Sequence, residues 1–155
     1  MPTAEPPWKA PPVAFHFCVT FGSSPKDADG AFQEVSGIGP EVETEPVVDG
    51  GENRFTYQLP KAMKHPRLKL RRGLAANDSR LVLWCKSVLE GGFARPVWPR
   101  LVHVFLLDAA GDPLRAWSFD GAWPVKWETG PFNATKNELA LETVELVYAA
   151  ARREV

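Results

Sequence analysis

The chain has 155 residues, 45% of them hydrophobic and 24% charged, with a formal net charge of −1. That length fits one domain with a real core. The near-neutral charge excludes a global field that would drive the chain onto nucleic acid or anionic lipid, so any electrostatic role has to come from local patterning.

Residues 1–12 contain five prolines and predict an extended, proline-rich arm. This stretch lacks the apolar run of a signal peptide. The longest apolar run, LVHVFLL at 101–107, is too short to span a bilayer. Synthesis in the cytosol with no direct membrane span is therefore expected. Residues 13–22 alternate, with Phe15, Phe17, Val19 and Phe21 on one face, and predict a strand. Cys18 within it and Cys85 further on both sit in apolar surroundings and read as buried free thiols of a reducing compartment.

A polar loop leads to two short strands at 31–39 and 41–48, the second placing Glu41, Glu43 and Glu45 on one face. Residues 54–59 and 67–71 alternate weakly and read as strand pieces separated by a Pro60–Pro66 loop. Asn77-Asp78-Ser79 is an N-cap signal for one helix, in which Leu81, Trp84, Cys85, Val88 and Leu89 follow helical spacing up to Gly91-Gly92. Strands are expected at 100–108, 113–120, 122–129 and 138–148, followed by a frayed tail. The domain is expected at 13–150, with 1–12 as an arm and 151–155 as a flexible end. The fold class is mainly β: an antiparallel sandwich or barrel with one flanking α-helix.

Catalytic chemistry finds no foothold. His16, His65 and His103 are scattered, and no HExxH, CxxC, GxSxG or Walker-type pattern occurs. Asp49-Gly50-Gly51 reads as a tight turn. The chain is not expected to be an enzyme or to bind a metal or cofactor.

Charge is polarised along the middle of the chain. Residues 31–53 hold six acids (Glu34, Glu41, Glu43, Glu45, Asp49, Glu52) and no Lys or Arg, whereas 54–76 hold seven bases (Arg54, Lys61, Lys64, Arg67, Lys69, Arg71, Arg72) and no acid. Three readings are open: two solvated faces that neutralise each other, a head-to-tail docking surface between copies, or a nucleic-acid arm. The adjacent acids would repel phosphate and argue against the last.

Several segments, in order, resemble the inner tail-tube proteins of contractile injection systems, the phage-tail-like particles of the anti-feeding prophage and Photorhabdus virulence cassette type. They are FHFCVTFG at 15–22, FQEVSGI at 32–38, EVETEPVVDGGENRFTYQLP at 41–60, KHPRLKLRRGL at 64–74 and AWPVKWETGPFNATKNELALETVELVY at 122–148. The resemblance implies the β-sandwich or barrel of the phage tail-tube type. It implies a homo-hexameric ring that stacks with neighbouring tube rings into a conduit for effector cargo. The partners would be a baseplate hub or spike and a surrounding sheath, with no nucleic acid. It places assembly in the bacterial cytoplasm, within a particle that acts outside or from inside the cell.

Carried over by position, Asp49, Gly50, Gly51, Glu52, Asn53 and Arg54 would form the contact tip of a long hairpin. Lys61, Lys64, His65, Arg67 and Arg71 would form a basic docking surface toward other subunits and rings, with Glu41, Glu43 and Glu45 as its acidic partner. The extended 64–74 stretch resembles the baseplate-proximal paralogue that starts the tube. Two other readings stay open: the main tube protein of a contractile phage tail, and a monomeric β-sandwich module whose Trp117, Trp123 and Trp127 hold a ligand.

Overall fold

A computed structural model of the chain describes residues 16–21, 29–48, 50–51, 54–73, 79–130, 135 and 140–154. Its strands are β1 (His16–Thr20), β2 (Ala31–Phe32), β3 (Glu34–Ser36), β4 (Glu41–Val47), β5 (Tyr57–Lys64), β6 (Leu68–Gly73), β7 (Arg100–Leu107), β8 (Pro113–Thr129), β9 (Leu141–Val147) and β10 (Ala150–Arg153). One short helix, α1 (Arg80–Cys85), continues into a π-helical turn, Lys86–Glu90.

The main sheet runs β2-β1-β7-β8-β9-β6-β3, all antiparallel. Its two edge strands are separated in sequence by Gln33 alone, whose N–H donates to the Arg71 carbonyl at 2.9 Å. The sheet thus returns to the segment where it began and closes as a barrel, which leaves few open strand edges. Inside lie Val19, Phe32, Leu68, Leu70, Val102, Val104, Phe119, Val144 and Leu146, with Leu81, Trp84 and Cys85 of α1 packed over them. Alternation explains the choice: β6 buries Leu68, Leu70 and Arg72 and exposes Lys69 and Arg71. Gly37 fits where β3 crosses close to the chain leading into β6. A Cβ there would meet the Arg67 carbonyl oxygen at 1.9 Å, and φ is +84°.

The structure differs from the sequence reading at four places. Residues 113–129 form one bent strand, not two. Gly121 takes φ 65° at the bend, so the N-terminal part pairs with β7 and the C-terminal part with β9. The expected Pro60–Pro66 loop is largely strand, because β5 runs through to Lys64. Proline lacks a ladder donor and is tolerated at edges and bulges, and the β4–β5 register shifts between Val42 and Thr44, beside Pro60. The chain end is not frayed: β10 pairs with Trp117–Asp120. There the Glu154 N–H donates to the Ala116 carbonyl at 2.8 Å, and the Glu154 carboxylate accepts from Ser118 Oγ at 2.6 Å. Its charged side chains are those of an edge strand. Fourth, the helix is α only over Arg80–Cys85. Ser79 caps it, its Oγ accepting from the Val82 N–H at 3.4 Å, while Asn77 and Asp78 lie outside the described residues.

Both cysteines are free and buried. Cys18 sits with Phe105, Leu107 and Ala116 on the outward side of the β1-β7-β8 wall. Burial pushes its thiol above the ordinary range. Burial, reinforced by the negative charge of Glu142, pushes the Cys85 thiol from 9.0 up to about 12. Because the folded value lies above the unfolded one, this contribution to stability is intact below pH 9 and is lost as the pH rises toward 12. Neither thiol is expected to react with a disulfide-exchange reagent at pH 8 in the folded protein, and both after unfolding in guanidinium. Fast labelling of folded Cys85 would contradict this placement.

Candidate functional site

The ribbon β4–β5 stands apart from the barrel sheet, and every residue of both strands is exposed. Directly paired residues of an antiparallel ribbon share a face. Val47 pairs with Tyr57 and Glu45 with Leu59, so these side chains occupy one side near the tip of the ribbon. Phe55 joins this side, its ring edge-on to Tyr57 at 5.2 Å. The other side carries Pro46 opposite Gln58, Thr44 opposite Pro60 and, past the register shift, Val42 opposite Met63, while Glu41 opposite Lys64 falls on the side of Glu45. Near its tip that first side is apolar and open to solvent, with Tyr57 51% and Leu59 49% exposed. A two-stranded ribbon is marginal in water by itself, and a contiguous apolar patch rimmed by charge marks an interaction surface.

The sequence-derived site residues fall on three parts of the molecule. Gly50 and Gly51 form the exposed turn beyond β4, with the exposed Arg54 nearby, and Asp49, Glu52 and Asn53 lie outside the described residues. Lys61 and Lys64 are on the ribbon strand β5. His65 and Arg67 lie in the link to β6, and Arg71 is on the barrel wall. The expected basic surface is thus divided between ribbon and barrel.

Part of the charge polarity is neutralised within the chain. Lys64 Nζ lies 3.6 Å from Glu43, and Arg71 lies 3.4 Å from Glu34. The barrel wall continues the pattern: Arg67 and Lys126 share Glu145 at 3.8 and 3.6 Å, and Lys126 meets Glu128 at 3.3 Å. The hydrogen bond that Lys126 donates to Glu128, then the negative charge of Glu128, holds the amine protonated above the usual lysine range. The Lys64–Glu43 and Arg71–Glu34 pairs are exposed on both sides, and each is worth at most about 1 kcal/mol, whereas Glu145 is buried beside its two cations. Glu41, Glu45 and Lys61 have no ion-pair partner among the described residues.

Sequence reasoning missed a buried cluster. Arg72, counted in the basic run, is 4% exposed and points inward. Its Nε donates to Glu142 at 3.1 Å and its Nη2 to Ser79 Oγ at 2.9 Å. Its Nη1 donates to the Asp29 carbonyl. The guanidinium lies 4.8 Å over the Phe32 ring. Glu142 also accepts from the Trp127 indole at 2.6 Å, and Asp29 accepts from the Arg80 and Leu81 N–H groups at the start of α1. One cation therefore ties together β6, β9, the chain before β2 and the helix. The inward parity of Leu68, Leu70 and Arg72 was the available signal.

Trp117, Trp123 and Trp127 are partly buried and pack against the core. Among the described residues no group of three His, Cys, Asp or Glu side chains is placed to hold a metal, and no helix is long and apolar enough to cross a membrane.

The family model for the T4-like virus tail tube protein gp19 matches residues 13–152. The chain belongs to the T4-like tail tube family. A chain from the anti-feeding prophage baseplate is 28% identical, with a TM-score of 0.75, covering 94% of this chain and 97% of that one. A chain from the sheath–tube complex of the extracellular contractile injection system PVC, in its extended state, is 23% identical at TM-score 0.73, over 94% and 92% of the two chains. Hcp1 from Flavobacterium johnsoniae shares the fold at 12% identity and TM-score 0.53, over 90% and 95% of the two chains. No curated protein matches the chain. The tail tube family is a structural one, not an enzyme family, and this member is a structural subunit similar to those of contractile injection systems.

Proposed function

We propose that the chain is an inner-tube subunit of a contractile injection system, in which six copies form a ring and rings stack into the conduit through which effectors pass. The observation that carries this reading is the β4–β5 ribbon, whose apolar side its own chain leaves uncovered. Burying that side against a neighbouring subunit removes apolar area from water at about 25 cal/mol per Å². A contact between a ribbon and a different surface of the next copy is heterologous, which closes into rings or propagates into stacks.

The neighbouring rings, the sheath and a baseplate hub are the partners of this reading. We further place the chain in the first tube layers next to the baseplate. Supporting this are the likeness to the baseplate chain of the anti-feeding prophage and the long β5–β6 segment with its charged link.

Ribbon tip residues 49–54 and the cations Lys61, Lys64, His65, Arg67 and Arg71 then face other subunits, against acids such as Glu41, Glu43 and Glu45. The double variant Lys64→Glu/Arg71→Glu is expected to keep its fold, since both side chains are exposed, and to lose ring stacking. Sedimentation velocity at low and high salt checks this: the parent should stack less as salt rises. A variant that stacked like the parent would remove these two cations from the interface.

A further inference from the structure

A second uncovered region lies on the other side of the helix, where the π-helical turn meets the chain running from Phe93 to Arg100. Phe93 is 72% and Trp98 74% exposed, and Phe93 holds φ at 61°, a left-handed conformation uncommon for a large side chain. Between the helix and this segment is a cleft of about 230 Å³, lined among others by Trp84, Ser87, Arg95, Val97, Trp98 and Arg100. That volume falls short of a typical small-ligand pocket and suits a few side chains of a docked segment.

Three features define what the cleft takes. The Trp84 side chain is 4% exposed, yet its buried indole N–H has no acceptor. A buried donor left unmet costs free energy and calls for a partner. The Arg100 guanidinium stands 5.7 Å over the Trp84 ring and 5.4 Å over that of Phe21, with no ion-pair partner among the described residues. Arg95 is exposed and also has no ion-pair partner among the described residues. The cleft therefore combines an aromatic wall with two cations that have no ion-pair partner among the described residues, and its fitting ligand is a carboxylate flanked by apolar side chains.

The chain itself carries such a ligand. On the open side of the ribbon, Glu45 pairs with Leu59 and neighbours the Val47–Tyr57 pair, so its carboxylate stands among apolar side chains. It has no ion-pair partner among the described residues. We propose that the cleft receives the β4–β5 ribbon of a second copy, with Glu45 of that copy between Arg95 and Arg100 and its apolar neighbours against Trp98. The inference rests on the tube-subunit reading and names the receptor for its docking ribbon. The two patches differ, so the contact is heterologous and propagates from copy to copy.

Charge exchange across the contact tests it, with the full-length chain and the midpoint of association followed by sedimentation velocity. Glu45→Arg and Arg95→Glu are exposed changes that leave the fold intact by circular dichroism. Each is expected to raise the midpoint concentration roughly thirtyfold. The combined Glu45→Arg/Arg95→Glu chain restores opposite charges in every contact and should recover at least about tenfold of that loss. Single variants that associate like the parent overturn the proposal, and so does a combined variant no better than the singles, while parental association shows that the tube reading stands. A parent that never associates, even with tube and baseplate proteins added, overturns the tube reading and the inference with it.

Discussion

Replacing Arg72 with alanine is expected to lower the stability of the folded chain by about 3–5 kcal/mol. The substitution strands Glu142 and Asp29, which remain largely buried without their cation. It also withdraws the donor that Ser79 Oγ accepts at the helix start and the guanidinium that covers Phe32. The loss reaches four chain segments together, since β6, β9, the chain before β2 and α1 meet at this side chain. The contrast with the surface pairs is sharp: removing Lys64 from Glu43 should cost at most about 1 kcal/mol. Urea unfolding followed by tryptophan fluorescence measures both. A loss below about 1 kcal/mol for Arg72→Ala would mean that water or neighbouring groups replace the guanidinium and that the cluster does not hold the barrel to its helix.

The opposite behaviour is expected at the ribbon. The triple variant Val47→Ser/Tyr57→Ser/Leu59→Ser should fold like the parent, because exposed side chains away from the core change stability by about 0.5 kcal/mol or less each. Its self-association should weaken roughly a thousandfold. Truncated interface side chains at the centre of a docking face cost up to about 2 kcal/mol or more each, and three neighbours are not fully additive. About 4 kcal/mol in total corresponds to that factor. Light scattering over a concentration series separates the two effects, with urea unfolding on the same samples as the control for folding. Association equal to that of the parent would show that this apolar side does not meet another subunit.

Much of the barrel could be read from the sequence because its strands alternate cleanly. Phe17 and Val19, Leu68 and Leu70, and Val102 and Val104 mark the inward side without ambiguity, and the Ser79 cap with Leu81, Trp84, Cys85 and Val88 marks the helix. Where the reading departed from the structure, local signals were overridden by pairing. Gly121 and Pro60 look like breaks, but a left-handed bend and a bulge carry the strand past each. The charged chain end looks solvated, yet its backbone completes a ladder on β8.

The site was less accessible for a different reason. The run of bases in 54–76 is continuous in sequence, but alternation sends Arg72 inward while Arg71 faces out, and ribbon and wall divide the rest. The receptor cleft joins the helix to a segment whose Arg95, Trp98 and Arg100 carry no motif. Only the fold brings them to Trp84.

The proposed function requires that this tail-tube chain build a hexameric ring through surfaces that are uncovered in the single subunit. Native mass spectrometry of the purified full-length chain, with negative-stain images of the same sample, tests it most directly. A mass six times that of the chain and sixfold rings, single or stacked, are expected, alone or on addition of the neighbouring tube and baseplate proteins. A monomer that stays monomeric in both conditions, with its ribbon intact, would contradict it.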